Sequence, residues 1–340
     1  MQGAVANAQL PLRALVACDG GIAPRSHACR RRHHRRPTRS PPPRAFGPAA
    51  EDTYKVVPDL GGQSDHLLLA VFDGHGQAGE KVAEFARDHI EETLVNLRRR
   101  QSSEPLQAYR TAFLQLNQRV RSDPTIDDNL SGTTAVSALF EGNQLHVANV
   151  GDSRAVMGER RDGRIVPTAL SSDQTPYRPD ERQRIRAAGG LVMSFTQLMG
   201  DAPLHDNWGV DLGQETDDSG DPPRIWQPDS QLPGCAFTRS IGDSIGEALG
   251  VTADPEIVSR TVSADDRILI LASDGVWEFM TNQKAIDLVS GFDNPLDACR
   301  ALLAEAYHLW MQYDTRTDDI TAIVAFFEHP GEPPRASPSA

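Results

Sequence analysis

Acidic residues stand at one end of four short apolar segments in this sequence of 340 residues. Segments of this length and composition are typical of buried β-strands. The four sites are Glu51 with Asp52 beside residues 53–57, Asp73 after 67–72, Asp274 after 268–273, and Asp318 with Asp319 before 320–327. If the strand ends converge, the carboxylates would repel one another in a partly dry cleft, and a divalent cation would remove that repulsion.

The types of these ligands suggest a metal and a reaction. Oxygen ligands without a cluster of cysteine or histidine favour hard cations, so the pattern predicts Mn²⁺ or Mg²⁺. Two such ions would lower the pKa of a shared water and neutralise charge that develops on a phosphoryl group. His75, two residues after Asp73, could protonate a leaving alkoxide, a role that typically contributes about 10²–10⁴-fold to a rate. A plainer interpretation of both residues is a turn with a local hydrogen bond, because Asp-Gly is a common turn sequence.

The distribution of charge limits the partners that we expect. The net charge is −13, but residues 1–50 contain nine arginines and one acidic residue, Asp19, which gives this segment +8 and leaves −21 for the rest. An acidic body argues against nucleic acid as the main partner. No apolar run reaches the roughly 18 residues that a membrane span needs. We therefore expect no membrane span, and we expect a monomer.

The cysteines bear on the compartment. Cys18, Cys29, Cys235 and Cys299 are scattered and lack C-x-x-C spacing. This argues against a disulfide framework or a zinc site and fits a reducing compartment. We expect a cytoplasmic or nuclear location, or a chloroplast or mitochondrion if the basic N-terminal segment is a transit peptide.

Composition divides the chain into three parts. Residues 1–50, with the basic run 30–36 and several prolines, cannot build a core and predict a disordered basic leader. A solvated tail, an organelle transit peptide and a nucleic-acid-binding arm remain open for it. The folded domain is expected at 51–329, followed by a flexible tail at 330–340. Within the domain, residues 191–233 are rich in Asp, Gly and Pro and form an insert, which is either a functional lid or a disordered segment.

Hydrophobic periodicity predicts an α+β fold. Helical patterns occur at residues 82–97, 106–120, 283–290 and 295–313. Strand patterns occur at 53–57, 67–72, 134–140, 144–150, 154–157, 267–272 and 320–327. Strands in succession, followed by helices and a further strand, favour α+β over a regular alternation of strand and helix.

Six motifs resemble, in the same order, those of the PP2C-type (PPM) metal-dependent serine/threonine protein phosphatases. They are Val71–Gly76 (VFDGHG), Ser131–Ala135 (SGTTA), Ala148–Ala155 (ANVGDSRA), Thr238–Asp243 (TRSIGD), Leu271–Glu278 (LASDGVWE) and Asp318–Thr321 (DDIT). The resemblance covers roughly Glu51 to Glu328. Residues 189–321 look most similar to the phosphatase part of plant and algal proteins that fuse PP2C, cyclic-nucleotide-binding and kinase domains, although we expect neither extra domain here.

The resemblance implies a fold and an activity. The fold is a PP2C-like α/β/β/α sandwich, in which helices flank two stacked antiparallel β-sheets. The activity is that of a phosphoric monoester hydrolase, in which a dinuclear Mn²⁺ or Mg²⁺ centre activates a bridging water for hydrolysis of phosphoserine and phosphothreonine in proteins. The insert 191–233 takes the place of the family's flap, which lies beside the active site and influences the choice of substrate.

The resemblance also implies roles for individual residues. Asp73 would bridge both metals, and His75 would be the general acid. The other expected metal ligands are the carbonyl oxygen of Gly74, Asp274 and Asp319 at the second ion, Asp52 with Glu51 as a further candidate, and Asp152 with Asp274 and Glu278 at a weaker third site.

One departure from the family pattern lies upstream of these residues. Members usually carry an arginine that holds the substrate phosphate a few residues before the Glu-Asp pair, whereas in this chain Gly47 stands four residues before Glu51. Loss of a bidentate arginine–phosphate contact would weaken substrate binding more than it disturbs the metals. Arg44 could take this role. The alternatives to an active phosphatase are a catalytically weak pseudophosphatase or scaffold, and a metal-binding structural domain.

Overall fold

The computed structural model of this chain describes residues 5–6, 13–19, 50–100, 105–205, 208, 221–314 and 316–328. The strands of this part are β1 (Val5–Ala6), β2 (Arg13–Asp19), β3 (Thr53–Pro58), β4 (His66–Phe72), β5 (Gly74–His75), β6 (Gly132–Thr133), β7 (Ala135–Glu141), β8 (Gln144–Val150), β9 (Arg154–Arg161), β10 (Arg164–Ala169), β11 (Leu191–Met193), β12 (Arg224–Trp226), β13 (Pro233–Cys235), β14 (Ile241–Gly242), β15 (Glu256–Thr261), β16 (Asp266–Ala272) and β17 (Ala322–Glu328). The helices are α1 (Gly79–Arg100), α2 (Pro105–Ser122), α3 (Pro179–Ala187), α4 (Phe195–Met199), α5 (Ser244–Glu247), α6 (Asp274–Trp277), α7 (Asn282–Ser290) and α8 (Pro295–Tyr313), with a 3-10 turn at Leu60–Gly62.

Two large antiparallel sheets form the centre of the fold. One sheet has the strand order β15-β8-β7-β4-β3, and the other has the order β1-β2-β17-β16-β9-β10. Two shorter sheets, β14-β6-β5 and β11-β12-β13, complete the pairing of the described strands.

No helix in the described part of the chain is both long and apolar enough to cross a membrane.

The two large sheets face each other across an apolar core. This core contains Leu69 and Val71 of β4, Met157 of β9, Leu271 of β16 and Ala325 of β17. Side chains alternate across a strand, so the residues between these positions point to the outer faces of the sheets. Both faces of β4 and β16 must therefore be covered, which explains why their sequences are continuous apolar runs rather than alternating ones.

Helices cover the outer face of each large sheet. Leu68 of β4 packs in one apolar cluster with Ile90 of α1 and Phe113 of α2. Ile270 of β16 packs in another cluster with Leu302 of α8, and this cluster also includes residues of α7. The layers are therefore helices, sheet, sheet and helices, which confirms the predicted α+β sandwich.

Strand β2 lies in the segment for which the sequence predicts a disordered leader. Its backbone pairs antiparallel with β17, with Asp19 opposite Ala322. The structure differs from the prediction at residues 13–19, because the arginines and prolines that follow dominate the composition of the segment and obscure a short apolar run. The basic run 30–36 lies outside the described residues, so its role stays a prediction.

The insert 191–233 is ordered at both ends. β11 and β12 pair with each other, and β12 also pairs with β13. Helix α4 begins with a capping box, in which the side chains of Ser194 and Gln197 each accept a hydrogen bond from the other residue's backbone N–H. Residues 209–220 of the insert and the tail 330–340 lie outside the part of the chain that the structure describes.

Candidate active site

A cleft of about 540 Å³ lies where the ends of the strands that carry the acidic residues meet. Its acidic lining residues are Glu51, Asp73, Asp152, Asp243, Asp274, Asp318 and Asp319. The insert and the residues that follow it contribute Arg224, Pro233, Gly234, Cys235, Ala236 and Phe237. The strand ends therefore converge as the proposed carboxylate site requires.

Hydrogen bonds hold the strand ends together beside the cleft. The backbone N–H of Glu51 donates to Asp319 Oδ2 at 2.6 Å, which joins the start of β3 to the residues before β17. Ser273, which follows β16, donates its hydroxyl to Asp52 Oδ2 at 2.8 Å. The backbone N–H of Ser273 also donates to the carbonyl oxygen of Thr321 at 3.0 Å. Segments from both large sheets are thus fixed relative to one another.

Asp73 lies between two other carboxylates. Its side chain interacts with those of both Asp52 and Asp274. Burial, followed by repulsion from neighbouring acidic side chains, raises the pKa of each of these three carboxyl groups above its usual value. Oδ1 of Asp52 and Oδ1 of Asp274 are buried and have no hydrogen-bond partner among the described residues.

These features fit a hard divalent cation. Clustered carboxylates and buried oxygens without partners are both unfavourable unless a positive charge lies among them. A cation bound by the free oxygens of Asp52 and Asp274 would remove both penalties. The donors are oxygen atoms alone, which is the set that Mg²⁺ and Mn²⁺ prefer.

His75 is held by a carboxylate and an aromatic ring. Its Nε2 lies 2.7 Å from Asp243 Oδ2. Its ring packs against Phe237, with ring centroids 4.4 Å apart. Burial favours the neutral imidazole, but the charge and hydrogen bond of Asp243 outweigh burial and hold the pKa of His75 above its usual value. Ser240 donates its hydroxyl to Asp243 Oδ2 at 2.6 Å and so fixes this carboxylate.

Gly132 of the SGTTA motif makes room for this pair. A Cβ atom at this position would lie 2.2 Å from Asp243 Oδ2 and 2.8 Å from His75 Nε2. A side chain here would therefore displace one or both partners, and glycine is the residue that permits such a close backbone approach. The motif thus contributes to the position of the histidine.

Most of the residues predicted for the site lie together in the cleft. Its lining includes Glu51, Asp73, Gly74, His75, Asp152, Asp274 and Asp319. Asp52 is 9% exposed and lies against Asp73. Burial and the charges of Asp173 and Glu278 raise the pKa of Asp152 to about 7. Glu278 itself is exposed and lies outside the lining that the described residues form, so it is the most peripheral of the predicted set.

Asp243 and Arg224 line the cleft but received no role from the sequence patterns, and Asp318 was noted only as the neighbour of Asp319. Asp243 ends the motif TRSIGD, so its place in a motif was an available signal. Asp318 directly precedes the predicted ligand Asp319, and the family resemblance gives the ligand role to Asp319 alone. Arg224 lies in the insert, which contains no motif, so the sequence carries no signal for its position.

A second group of carboxylates consists of Asp180, Glu181 and Glu256, whose nearest oxygens lie within 4.8 Å of one another. Arg178 bonds to Asp180 at 2.6 Å and to Glu256 at 2.8 Å. Arg239 bonds to Glu181 at 2.7 Å. Burial alone would raise the pKa of Glu181, but hydrogen bonds from Arg239 and its neighbours lower it to about 2. The arginines supply the positive charge that a metal would supply, so we interpret this group as a structural clamp.

Replacing Glu181 with Gln is expected to destabilise the fold. The Glu181 side chain is 2% exposed, and its loss would remove one counter-charge from the partly buried guanidinium groups of Arg184 and Arg239, which costs about 2 kcal/mol. The pKa of Glu181 is lowered from 4.5 to about 2, so its contribution is complete above pH 4.5 and is lost as the pH falls toward 2. Denaturant unfolding should therefore show a smaller difference between wild type and variant at about pH 3 than at about pH 7.

The exposed helix residue Glu84 provides the control for this prediction. Glu84→Gln should change the free energy of unfolding by less than about 0.5 kcal/mol, because exposed ion pairs contribute little. A loss for Glu181→Gln that is the same at both pH values, or no larger than that of the control, would contradict the clamp.

Comparison with known proteins agrees with this geometry. Residues 48–309 match the family model described as protein phosphatase 2C. The chain is 40% identical over 275 residues to a protein named probable protein phosphatase 2C 35 of Arabidopsis thaliana. The aligned region covers 81% of this chain and 77% of that protein. It is 32% identical over 302 residues to probable protein phosphatase 2C 34 of Arabidopsis thaliana, which covers 84% of this chain and 78% of that protein.

A solved structure shows the same fold. The crystal structure of serine-threonine phosphatase 2C from Toxoplasma gondii matches with a TM-score of 0.72 and 20% sequence identity, over 96% of this chain and 99% of that chain. The family match, the two relatives and the converging carboxylates all lead to one assignment. The chain therefore belongs to the protein phosphatase 2C family and is a metal-dependent protein serine/threonine phosphatase.

Proposed function

We propose that the cleft hydrolyses phosphoserine and phosphothreonine in proteins with two Mn²⁺ or Mg²⁺ ions as cofactors. The observation that carries this proposal is the position of Asp73, whose carboxylate lies between those of Asp52 and Asp274 in the cleft that also contains His75. When bound, the ions would lower the pKa of a bridging water and neutralise charge that develops on the phosphoryl group.

Oxygen atoms of the cleft would hold the ions. Asp73 is the residue suited to contact both, because it has a carboxylate neighbour on each side. The further ligands that we propose are the carbonyl oxygen of Gly74 and the side chains of Asp274, Asp319, Asp52 and Glu51. A third, weaker ion would use Asp152 with Asp274 and Glu278, and the exposure of Glu278 is in keeping with weak binding.

His75 would supply the proton for the leaving group. Asp243 favours the protonated imidazole and occupies Nε2, so Nδ1 is the nitrogen left to face the substrate. Attack of water on phosphorus breaks the bond between phosphorus and the serine or threonine oxygen. Donation of the proton from His75 to this oxygen yields the free hydroxyl and inorganic phosphate. A proton released by the attacking water then replaces the one that His75 gave up.

Removal of metal tests this function. Hydrolysis of a phosphothreonine peptide by the full chain should fall to background after treatment with EDTA and should return when Mn²⁺ or Mg²⁺ is added. Titration of the metal-free protein with Mn²⁺ should give two sites of higher affinity. Activity that survives complete chelation would overturn the proposal.

The alternative of a pseudophosphatase or scaffold is less well supported. Its motivation is the missing upstream arginine, but Asp52, Asp73, Asp274 and Asp319 are all in place around the cleft. Phosphorylated proteins are the substrates that a protein phosphatase requires. A monomeric state, the compartment and the similarity to the kinase fusion proteins stay predictions from the sequence.

A further inference from the structure

Arg224 of β12 is the only lysine or arginine among the described residues that line the cleft. Seven carboxylates line the same cleft. The bound metal ions would offset part of this negative charge, but apart from His75, whose ring is held by Asp243, a phosphate dianion entering the site would meet one cationic side chain. The position of Arg224 therefore bears directly on how the substrate is bound.

Arg224 is anchored without being neutralised. Its Nη1 donates to the carbonyl oxygen of Gly234 in the neighbouring strand β13 at 2.9 Å. Two other arginines, Arg154 and Arg239, are paired with carboxylates at 2.5 Å and 2.7 Å, whereas no carboxylate in the described part of the chain forms a salt bridge with Arg224. A guanidinium has five N–H donors, so the contact with Gly234 leaves most of them for a ligand.

The backbone around Arg224 is held by the small sheet of the insert. β12 lies between β11 and β13, so it has a paired strand on each side. The indole N–H of Trp226 donates to the carbonyl oxygen of Met193 at 2.8 Å, and the indole ring lies against Gly234. These contacts fix the strand from which the arginine projects, so its position does not depend on a free loop.

Arg224 also acts on the same part of the cleft as the catalytic histidine. Burial raises the pKa of the Cys235 thiol, the charge of Asp243 raises it further, and the charge of Arg224 lowers it. The charges of both residues therefore reach this point, and Asp243 is in direct contact with His75. Arg224 and His75 also line the same cleft, so the charge of the guanidinium acts on an anion bound there.

We propose that Arg224 binds the phosphoryl group of the substrate through its free guanidinium N–H donors. This role rests on the proposed function, since it requires the cleft to be the phosphatase site. Arginine is suited to it because its planar fork can bind two phosphate oxygens at once. The role for which Arg44 was considered, at a position outside the described residues, would then be filled from the insert.

Two substitutions separate the charge of Arg224 from its contact with Gly234. Arg224→Gln removes the charge but keeps a side-chain N–H donor, and Arg224→Lys keeps the charge but loses the fork. Arg164→Gln on β10, an exposed position, is the matched control. Each full-length variant is assayed with Mn²⁺ on a phosphothreonine peptide and on p-nitrophenyl phosphate, and inhibition by inorganic phosphate is measured.

A phosphate-binding role predicts a specific set of results. Arg224→Gln should raise KM for both substrates and the inhibition constant of inorganic phosphate by about 10- to 100-fold, with a smaller effect on kcat. Arg224→Lys should recover part of this loss, and Arg164→Gln should behave like wild type. Mn²⁺ affinity should be unchanged in all three variants, because none of them replaces a proposed metal ligand.

Two results would overturn the role of Arg224. The first is an unchanged inhibition constant of phosphate in Arg224→Gln. The second is a rise in KM for the peptide alone, which would place the arginine against the polypeptide part of the substrate. Neither result touches the metal-dependent activity of the wild-type protein on p-nitrophenyl phosphate, so failure of this role is distinct from failure of the proposed function.

Discussion

Replacing Asp73 with Asn is expected to reduce the rate of phosphopeptide hydrolysis by about 10³-fold, because several kcal/mol of metal-dependent stabilisation of the transition state would be lost. Asparagine has nearly the same shape, so the strands around it should pack as before. It removes the negative charge that lies between Asp52 and Asp274. The loss should therefore arise from weaker metal binding rather than from a change of fold.

The stability of the same variant gives an independent test of this explanation. Mn²⁺ should raise the Tm of the wild-type protein, because it binds the folded state alone, and should raise that of Asp73→Asn much less. In EDTA, Asp73→Asn should have a higher Tm than the wild-type protein, because one of three mutually repelling carboxylates has been removed.

The exposed residue Asp287 of α7 is a suitable control for the Asp73 variant. Asp287→Asn removes one negative charge away from the cleft and should change neither the activity nor the response to Mn²⁺. An Asp73→Asn protein that keeps the wild-type rise in Tm on addition of Mn²⁺ would exclude Asp73 as a metal ligand.

Replacing His75 with Gln is expected to lower kcat by about 10²–10⁴-fold on phosphothreonine peptides, the range that a general acid usually contributes. The loss should be much smaller on p-nitrophenyl phosphate, because nitrophenolate leaves readily without a proton. The affinity for Mn²⁺ should remain close to that of wild type. Steady-state kinetics on both substrates would measure this difference.

Asp243→Asn provides an intermediate case for the same prediction. It keeps a side chain that can contact His75 Nε2 but removes the charge that favours the protonated ring. Its kcat on the peptide should fall less than that of His75→Gln and should show the same preference for the nitrophenyl substrate. Equal losses on both substrates in His75→Gln would contradict the role of general acid.

Asp73, Asp274 and Asp319 could be found from sequence because each stands beside a continuous apolar run, whereas Asp152 was indicated by a family motif and Asp243 was missed. Such runs occur where both faces of a strand are buried, as in β4 and β16, and the position of Asp73 and Asp274 follows from where these runs end. Their meeting in one cleft could not be found in the same way. It depends on how the two sheets stack, and stacking leaves no local pattern in the chain.

Other features lacked a local signal altogether. Strand β2 is short and precedes a segment rich in arginine and proline, so the composition of residues 1–50 hides its apolar pattern. Arg224 lies in an insert that has the composition of a loop, and its importance follows from the neighbours that the fold gives it. Glu278 was placed by motif alone, and its exposure shows that a motif position does not fix the direction of a side chain.

The hydrogen bond between the Glu51 N–H and Asp319 Oδ2 joins residues that are 268 positions apart in the sequence. Contacts over such spans form late, because a long loop must close before they stabilise anything. During synthesis on the ribosome, Glu51 emerges long before Asp319, so the contact between them cannot form until the last strand has been made. We therefore expect the proposed metal site, and with it the ability to remove phosphate, to be complete only after the whole domain has left the ribosome.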